Sequence, residues 1–547
     1  MLAILEGNRI ALKFNYSPSL VVQVKRLEGR TWNKSTRAWY IPLSSGGKVL
    51  PRLEALGFTI DPLIRQAVAS EQDKAEAMRS LSQATEAKFE TSLPLYGFQK
   101  ATAKFMVEAK RCLNANFVGS GKTITTLAAL DKLDCKRMLV VCPKSVIYQW
   151  KDEIGKWLPN WQVFVVDGAL DARLATYKTV GRPFTSPVVV VVGYEIMRID
   201  INHLTALSPD AVVCDEVHRL GSGRTQTHKA ARQLTAPVVF GLSATPLMNR
   251  AADLWGIADI IAPGYLGSFT QFVDYYCIRN PWGGIDGTAK PEELAERFAP
   301  LMVRHKLEDV EIQLPELIEE DIKVELSATE RSLYDRMRKE LLFELQQEEV
   351  NKLSSPMVLQ NVLVKMGKLQ ECTDSLALLG DKRESSKLDA LEDHVADVVA
   401  SGRKVICFTR FERMAQIIMA RLDKYSPALI TGQVDSQGRE EAMSRLRDDS
   451  ACQVLVSTDA GGVGLNLQTA SVVYNFDLPF SVGRYHQRIG RAHRIGQTKS
   501  VLVYNLIARK TIDEHVKRIL KGKQELSAAL LDQEPWTGEE VMGLLEE

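Results

Sequence analysis

Short apolar runs separated by stretches of helical period recur in two blocks of this chain. The first block has runs at residues 138–142, 188–192, 211–214 and 238–242, and the second at 405–408, 428–430, 454–456, 472–476 and 501–506. Such runs lack polar alternation and suit strands buried on both faces. Strands alternating with helices predict parallel sheets covered on both sides. The expected fold is therefore α/β, with two doubly wound parallel-sheet lobes. Residues 315–390 carry more charge and a helical period, clearest at 330–350, which predicts a helical bridge between the lobes. The polar stretch 68–92, with Glu71-Gln72-Asp73-Lys74-Ala75-Glu76, predicts a helical linker with no core of its own. Ahead of it, Ile10-Ala11-Leu12-Lys13-Phe14 and Trp39-Tyr40-Ile41-Pro42 predict strands and 17–27 a helix, giving a small α+β module. The expected division is 1–67 module, 68–92 linker, 93–314 first lobe, 315–390 bridge, 391–520 second lobe and 521–547 helical tail.

A length of 547 residues suits about three or four domains. Formal charge is balanced at +1, so any nucleic-acid surface must be local. One such patch lies within residues 1–62, where nine Lys and Arg face four Asp and Glu. There, Arg37 and its basic neighbours interleave with Trp32, Trp39 and Tyr40. That mixture suits phosphate contact and base stacking, and equally a small domain whose tryptophans are core. The eight cysteines are scattered, and Cys142, Cys214 and Cys407 sit in apolar runs, as buried reduced thiols do. None has zinc-site spacing. The absence of a secretory apolar region and of any bilayer-length run predicts a cytoplasmic, intracellular protein, at a bacterial nucleoid or in a virus-infected cell, without membrane contact.

Candidate chemistry begins at Gly119-Ser120-Gly121-Lys122-Thr123, which precedes the helix-prone run 124–130. Glycines at a helix N-terminus let backbone N–H groups close on phosphate oxygens. Lys122 would reach the β- and γ-phosphates of ATP, and Thr123 would ligate Mg²⁺. Asn116 stands where the full pattern has its first glycine, and a plain Gly-rich turn is the competing reading. In Val212-Val213-Cys214-Asp215-Glu216-Val217-His218, an apolar strand delivers two acids to its C-terminal edge, where open α/β sheets bind ligands. Asp215 then serves Mg²⁺ and Glu216 orients or deprotonates the attacking water, unless both acids merely cap a helix. Finally, Gln487, Arg491 and Arg494 fall at i, i+4 and i+7, one stripe if the segment is helical. Such a stripe is either a solvated basic face or a pair of arginines facing phosphate.

Together these motifs resemble the Swi/Snf family of helicase-like ATPases, within helicase superfamily two, over residues 93–520. The resemblance implies RecA-like lobes. It makes Gln99, in Leu95-Tyr96-Gly97-Phe98-Gln99, the adenine-recognising glutamine, and it makes Arg491 and Arg494 arginine fingers with Gln487 beside them. Pro143-Lys144-Ser145 with Trp150 is similar to the family's motif Ia, and Gly241-Leu242-Ser243-Ala244-Thr245-Pro246 to motif III. Arg304-His305-Lys306 with Leu314-Pro315 is similar to the signature before the bridge, and Ser386-Lys387-Leu388 to the entry of the second lobe. Residues 457–467, which include Thr458, Gly461 and Gly462, are similar to motif V, whose glycines permit close approach to phosphate or nucleotide. By this resemblance Lys144, Ser145, Trp150, Thr245, Thr409, Arg410 and Thr458 are DNA contacts and Gly462 a nucleotide contact.

The chain departs from the family pattern in three places. Asn116 and Phe117 stand where an Asp-Glu pair is usual, His305 where a second arginine is common, and Phe480 where a tryptophan follows motif V. The string Arg-Thr-Trp-Asn-Lys-Ser-Thr-Arg-Ala-Trp at 30–39 resembles the HARP module of annealing helicases, which adds Trp32, Arg37 and Trp39 as DNA contacts. The expected function is a DNA-dependent ATPase, monomeric, using ATP and Mg²⁺, that translocates on double-stranded DNA and remodels or reanneals branched or fork DNA. A strand-separating helicase, a motor displacing proteins such as RNA polymerase from DNA, and a DNA-binding structural protein with a decayed ATPase site are the alternatives. The sequence names no protein partner.

Overall fold

The computed structural model of the chain describes residues 1–244, 251–279, 285–310, 314–347, 356–381, 385–462 and 467–527. The N-terminal module is a five-stranded sheet of β1 (Leu2–Glu6), β2 (Arg9–Lys13), β3 (Thr31–Asn33), β4 (Ala38–Pro42) and β5 (Thr59–Ile60), in the order β3-β4-β2-β1-β5. Helices Pro18–Val24 and Gly46–Ala55 cover one of its faces through Val24, Val49 and Leu53.

The first lobe is an all-parallel, seven-stranded sheet. Its strands are β6 (Arg111–Asn114), β7 (Arg137–Cys142), β8 (Gln162–Val166), β9 (Val188–Gly193), β10 (Ala211–Asp215), β11 (Val238–Leu242) and, after a hairpin of β12 (Cys277–Arg279) and β13 (Ile285–Thr288), β14 (Met302–Val303). The order is β14-β6-β11-β10-β7-β9-β8. Alternate valines of β9 and β10 enter separate apolar cores on the two faces, which is why these strands carry no polar alternation.

The second lobe is a six-stranded parallel sheet of β15 (Leu317–Val324), β16 (Val405–Thr409), β17 (Ala428–Ile430), β18 (Val454–Thr458), β19 (Val472–Asn475) and β20 (Val501–Ala508), ordered β15-β20-β19-β16-β18-β17. Two doubly wound parallel lobes are thus present, as the apolar runs predict.

The expected bridge at 315–390 is corrected. Its first segment is β15, which pairs with β20 from Leu317↔Val501 to Val324↔Ala508. Helices Ala328–Gln347 and Pro356–Asp374 bury Tyr334, Met366, Leu369 and Cys372 in the second lobe's core. Helix Ser386–Ala400 packs on the same sheet through Leu388, Leu391 and Val395, so the lobe begins well before residue 391. A buried ion cluster joins these pieces. Lys387 Nζ lies 2.8 Å from Asp374 Oδ1 and 3.0 Å from Asp513 Oδ2, and all three side chains are 0% exposed.

The expected coreless linker is also corrected. A helix runs Pro62–Gln83, started by Pro62 and by Asp61, whose carboxylate accepts the Leu63 N–H at 2.9 Å. Ile64 and Val68 belong to the module's core, while Met78, Leu81 and then Phe89 pack against the first lobe. Lys48 Nζ to Glu293 at 2.6 Å, Gln271 Nε2 to the Arg30 carbonyl at 3.1 Å, and the Arg297–Glu28 pair further fasten the module to that lobe. The helix Ile512–Ser527 opens the expected tail, and residues 528–547 lie outside the described part.

Candidate active site

From β6 the chain enters a loop that ends at Gly121, the N-cap of helix Lys122–Lys132. Gly119 and Gly121 hold φ of 79° and 76°, in the left-handed region. A Cβ on Gly119 would lie 2.5 Å from Arg494 Cβ, and one on Gly121 2.4 Å from Gln99 Nε2, so neither position has room for a side chain. Gln99 braces this loop. Its Nε2 donates to the Ser120 carbonyl at 2.8 Å, and its Oε1 accepts the Tyr96 N–H at 2.9 Å. Lys122 Nζ donates to the carbonyls of Asn116 and Phe117 at 2.9 and 3.0 Å. Burial pushes Lys122 down to about 8, against the pull of Glu216 and Asp215.

The carboxylates stand at the C-terminal end of β10, the strand two places from β6 in the sheet. Trp150 Nε1 donates to Asp215 Oδ2 at 2.9 Å, and the Glu216 N–H to Asp215 Oδ1 at 3.0 Å. Tyr194 Oη holds the Asp215 carbonyl at 2.6 Å. Burial, and then the charge of Glu216, raise Asp215 to about 6. Burial would raise Glu216 too, but His218, Lys122 and Arg491 outweigh it and hold this carboxyl below its ordinary value. Glu216 has φ 52°, which turns the chain sharply after the strand. Its Oε2 lies 3.2 Å from His218 Nδ1.

From the second lobe come Gln487, Arg491 and Arg494. They do not form a helical stripe. The helix is Val482–Ile489 and ends at Gly490, so both arginines ride on the turn that follows. That turn is tied down independently, with the Leu467 N–H bonded to the Arg491 carbonyl at 3.2 Å and Gln497 Nε2 bonded to the carbonyls of Gln468, Ala470 and Ala492. Contact with the first lobe is close, since a Cβ on Gly490 would lie 2.4 Å from Val118 Cγ1.

A cavity of about 670 Å³ opens between the lobes. Gln99, Gly119, Ser120, Gly121, Lys122, Thr123, Asp215 and Glu216 line one side, and Gln487, Arg491 and Arg494 the other. Burial lowers Arg491 to about 10, and Arg494 also falls, so the wall strains toward an anion. Ser120 Oγ and Arg494 Nε are buried here without hydrogen-bond partners among the described residues. Orphaned donors and acceptors around a glycine cradle are what a phosphate chain and its water would satisfy. Thr123 and Asp215 supply the hard oxygen donors that Mg²⁺ takes, although no group of three or more His, Cys, Asp or Glu side chains is poised for metal among the described residues. The site residues fit ATP and Mg²⁺.

Several expected contacts sit elsewhere. Trp150 is 2% exposed and spends its indole N–H on Asp215, so it serves the nucleotide cavity and not DNA. Thr409 is fully buried and donates to Asp477, and Thr458 is buried with its hydroxyl accepting the Gly461 N–H at 3.3 Å. Neither reaches a surface. Gly462 lines a second cavity beside the nucleotide cavity, as does Arg410. Lys144 is exposed and Ser145 half-buried. Thr245 lies outside the described residues. In the module, Trp32 is 47% exposed and packs 5.2 Å from half-buried Trp39, near exposed Arg37. Tyr40 is core, its hydroxyl bonded to Glu6 at 2.7 Å.

Sequence reasoning missed Arg488, which is buried and bonds Asp459 Oδ1 at 2.6 Å, the Asp477 carbonyl at 2.6 Å and Asn475 Oδ1 at 3.2 Å. A third arginine inside a stripe gives no signal of its direction. Two departures from the family pattern prove to be neighbours. Asn116 Oδ1 accepts the His305 N–H at 2.9 Å and faces His305 Nδ1 at 3.1 Å, and Phe98 stacks on Phe117 and edges His305. The Asn116 side chain is spent beneath the loop, while its carbonyl still receives Lys122.

The chain is similar to known proteins over most of its length. A family model described as SNF2-related domain matches residues 98–378, and one described as helicase conserved C-terminal domain matches 386–496. An uncharacterised ATP-dependent helicase of Mycoplasma genitalium is 28% identical over 420 residues, covering 75% of this chain and 39% of that protein. The chromodomain-helicase-DNA-binding protein 1-like of Mus musculus is 28% identical over 468 residues, covering 81% and 50%. The chain thus spans half or less of the length of these relatives. The Sulfolobus solfataricus SWI2/SNF2 ATPase core in complex with dsDNA aligns over 81% of this chain and 94% of its own, at 23% identity and a TM-score of 0.39. With the SNF2-related match alone spanning more than half of the 547 residues, the chain belongs to the SNF2-related family.

Proposed function

We propose that this chain hydrolyses ATP with Mg²⁺ and uses the cycle to translocate on double-stranded DNA. One observation carries the reading: Lys122, Asp215 and Glu216 of one lobe meet Arg491 and Arg494 of the other around a single cavity. No lobe holds a complete site, so hydrolysis requires the cleft to close and product release lets it open.

The loop N–H groups and Lys122 bind the β- and γ-phosphates, and Thr123 and Asp215 hold Mg²⁺, which neutralises developing phosphate charge when bound. Trp150 and Tyr194 fix Asp215 in place. Glu216, kept ionised by its cationic neighbours, orients the attacking water and accepts its proton. Arg491 and Arg494 stabilise transition-state charge from the opposite lobe. Gln99 acts on the loop itself, and its position at the cavity wall also suits adenine recognition. DNA contacts are expected at Lys144, Ser145 and Arg410, mainly to phosphates, with little sequence preference and strong salt dependence.

The exposed Trp32, half-buried Trp39 and Arg37, on a basic module fastened to the first lobe, support a preference for branched or fork DNA, which the motor would remodel or reanneal. ATP turnover measured with single-stranded, duplex and forked DNA tests both levels. Stimulation by single strands alone, or turnover unchanged by Lys122→Ala, would overturn the duplex-tracking motor, and equal stimulation by duplex and fork would overturn the structural preference.

A further inference from the structure

We propose that the second cavity in the cleft is a binding and exit site for inorganic phosphate, the product of ATP cleavage. The inference rests on the ATPase reading above and extends it. This cavity, of about 530 Å³, shares Glu216, Gln487 and Arg491 with the nucleotide cavity. The groups that surround the γ-phosphate are therefore the partition between two spaces. On the near side the glycine loop and Lys122 hold ADP, which blocks the way back. On the far side stand Arg219, Arg410 and Arg484, the first and last of them exposed at the mouth.

Charge on the far side favours a dianion. Of the carboxylates lining it, Asp459 is already engaged by Arg488 through Oδ1 at 2.6 Å, and Glu216 belongs to the partition. Asp459 Oδ2 is buried with no hydrogen-bond partner among the described residues and lies 4.0 Å from Arg484 Nη1. A phosphate that keeps one proton can donate it to this oxygen while its other oxygens meet the guanidiniums. Sulfate has no such proton and would leave two anions facing each other. The cavity thus carries both the attraction for an oxyanion and a means of choosing phosphate.

The test uses the full chain saturated with ADP and Mg²⁺. Calorimetric titration with inorganic phosphate, and separately with sulfate, is compared between wild type and Arg219→Ala, Arg484→Ala and the double variant. The expected result is phosphate binding weakened about five- to tenfold by each substitution, with ADP affinity unchanged and sulfate bound more weakly than phosphate. In single-turnover experiments the cleavage step should keep its rate, while phosphate release followed by a fluorescent reporter changes. Phosphate affinity equal in wild type and the double variant, or no phosphate binding to the ADP form, would overturn the proposal. Loss of the ATPase reading would show separately, as absence of cleavage in wild type, because the titration needs no turnover.

Discussion

Replacing Trp150 with phenylalanine should move the acid limb of the ATPase pH profile without abolishing activity. The indole N–H donates to Asp215 Oδ2 at 2.9 Å inside a buried site, and phenylalanine keeps an aromatic ring there but no donor. A hydrogen bond to a charged group contributes about 1.5–3 kcal/mol, and one pH unit of proton affinity corresponds to about 1.4 kcal/mol. Losing it should raise the pH at which Asp215 takes up a proton by roughly one to two units. Burial and Glu216 already place that pH at about 6 in the wild type. The sign follows from the metal: Mg²⁺ needs the ionised carboxylate, so kcat/KM for Mg·ATP falls as pH drops through about 6 in wild type. In Trp150→Phe the fall should begin about one to two pH units higher, with rates converging at pH values well above it. The assay is steady-state turnover from acid to alkaline pH at saturating DNA, with ADP affinity at high pH as the control for folding. An acid limb left in place, or a loss of rate equal at every pH, would refute the assignment of Trp150 to Asp215.

Arg491→Ala and Arg494→Ala should each lower turnover by on the order of 10³-fold or more while ATP affinity, measured by fluorescent-nucleotide titration, stays largely intact. Gly490→Ala would put a methyl 2.4 Å from Val118 Cγ1 and hold the lobes apart, so turnover should fall at least about tenfold with nucleotide binding kept. Val118→Ala in the same chain should restore part of the rate. Lys387→Met leaves Asp374 and Asp513 buried without their cation and should destabilise the second lobe by about 3–5 kcal/mol, read by hydrogen exchange in peptides from 386–400 and 501–520. Burial already raises Asp374 and the loss of Lys387 would raise it further above its unfolded value, so this deficit should shrink as pH falls and Asp374 takes up a proton.

The parts of the site written in contiguous residues were legible. Gly119 to Thr123 and Val212 to Glu216 each carry their own local pattern, a glycine turn before a helix and an apolar strand ending in acids. The helical stripe was a misreading with the right destination, because Gly490 ends the helix and the turn that follows still delivers Arg491 and Arg494 to the cavity. β15 was hidden for another reason. Leu-Ile-Glu-Glu-Asp-Ile-Lys-Val is an edge strand, free to carry charge along its exposed side, and its partner β20 lies far along the chain. Burial of individual polar side chains was likewise unreadable. Nothing near Thr409 in the sequence indicates that Asp477 receives its hydroxyl, or that Arg488 turns inward while Arg484 stays exposed.

The helix Pro62–Gln83 has a mechanical meaning. At 22 residues it is roughly 33 Å long, with its first turns buried in the module and its last turns against the first lobe. Packed at both ends, it is placed to act as a strut. Module and first lobe then make one arm of a caliper, and the second lobe, with its arginine turn, makes the other. On the proposed motor reading, each closure on nucleotide would displace whatever the second lobe grips by a distance measured against a fixed jaw that includes Trp32 and Arg37, so the module would set the origin from which every step is counted.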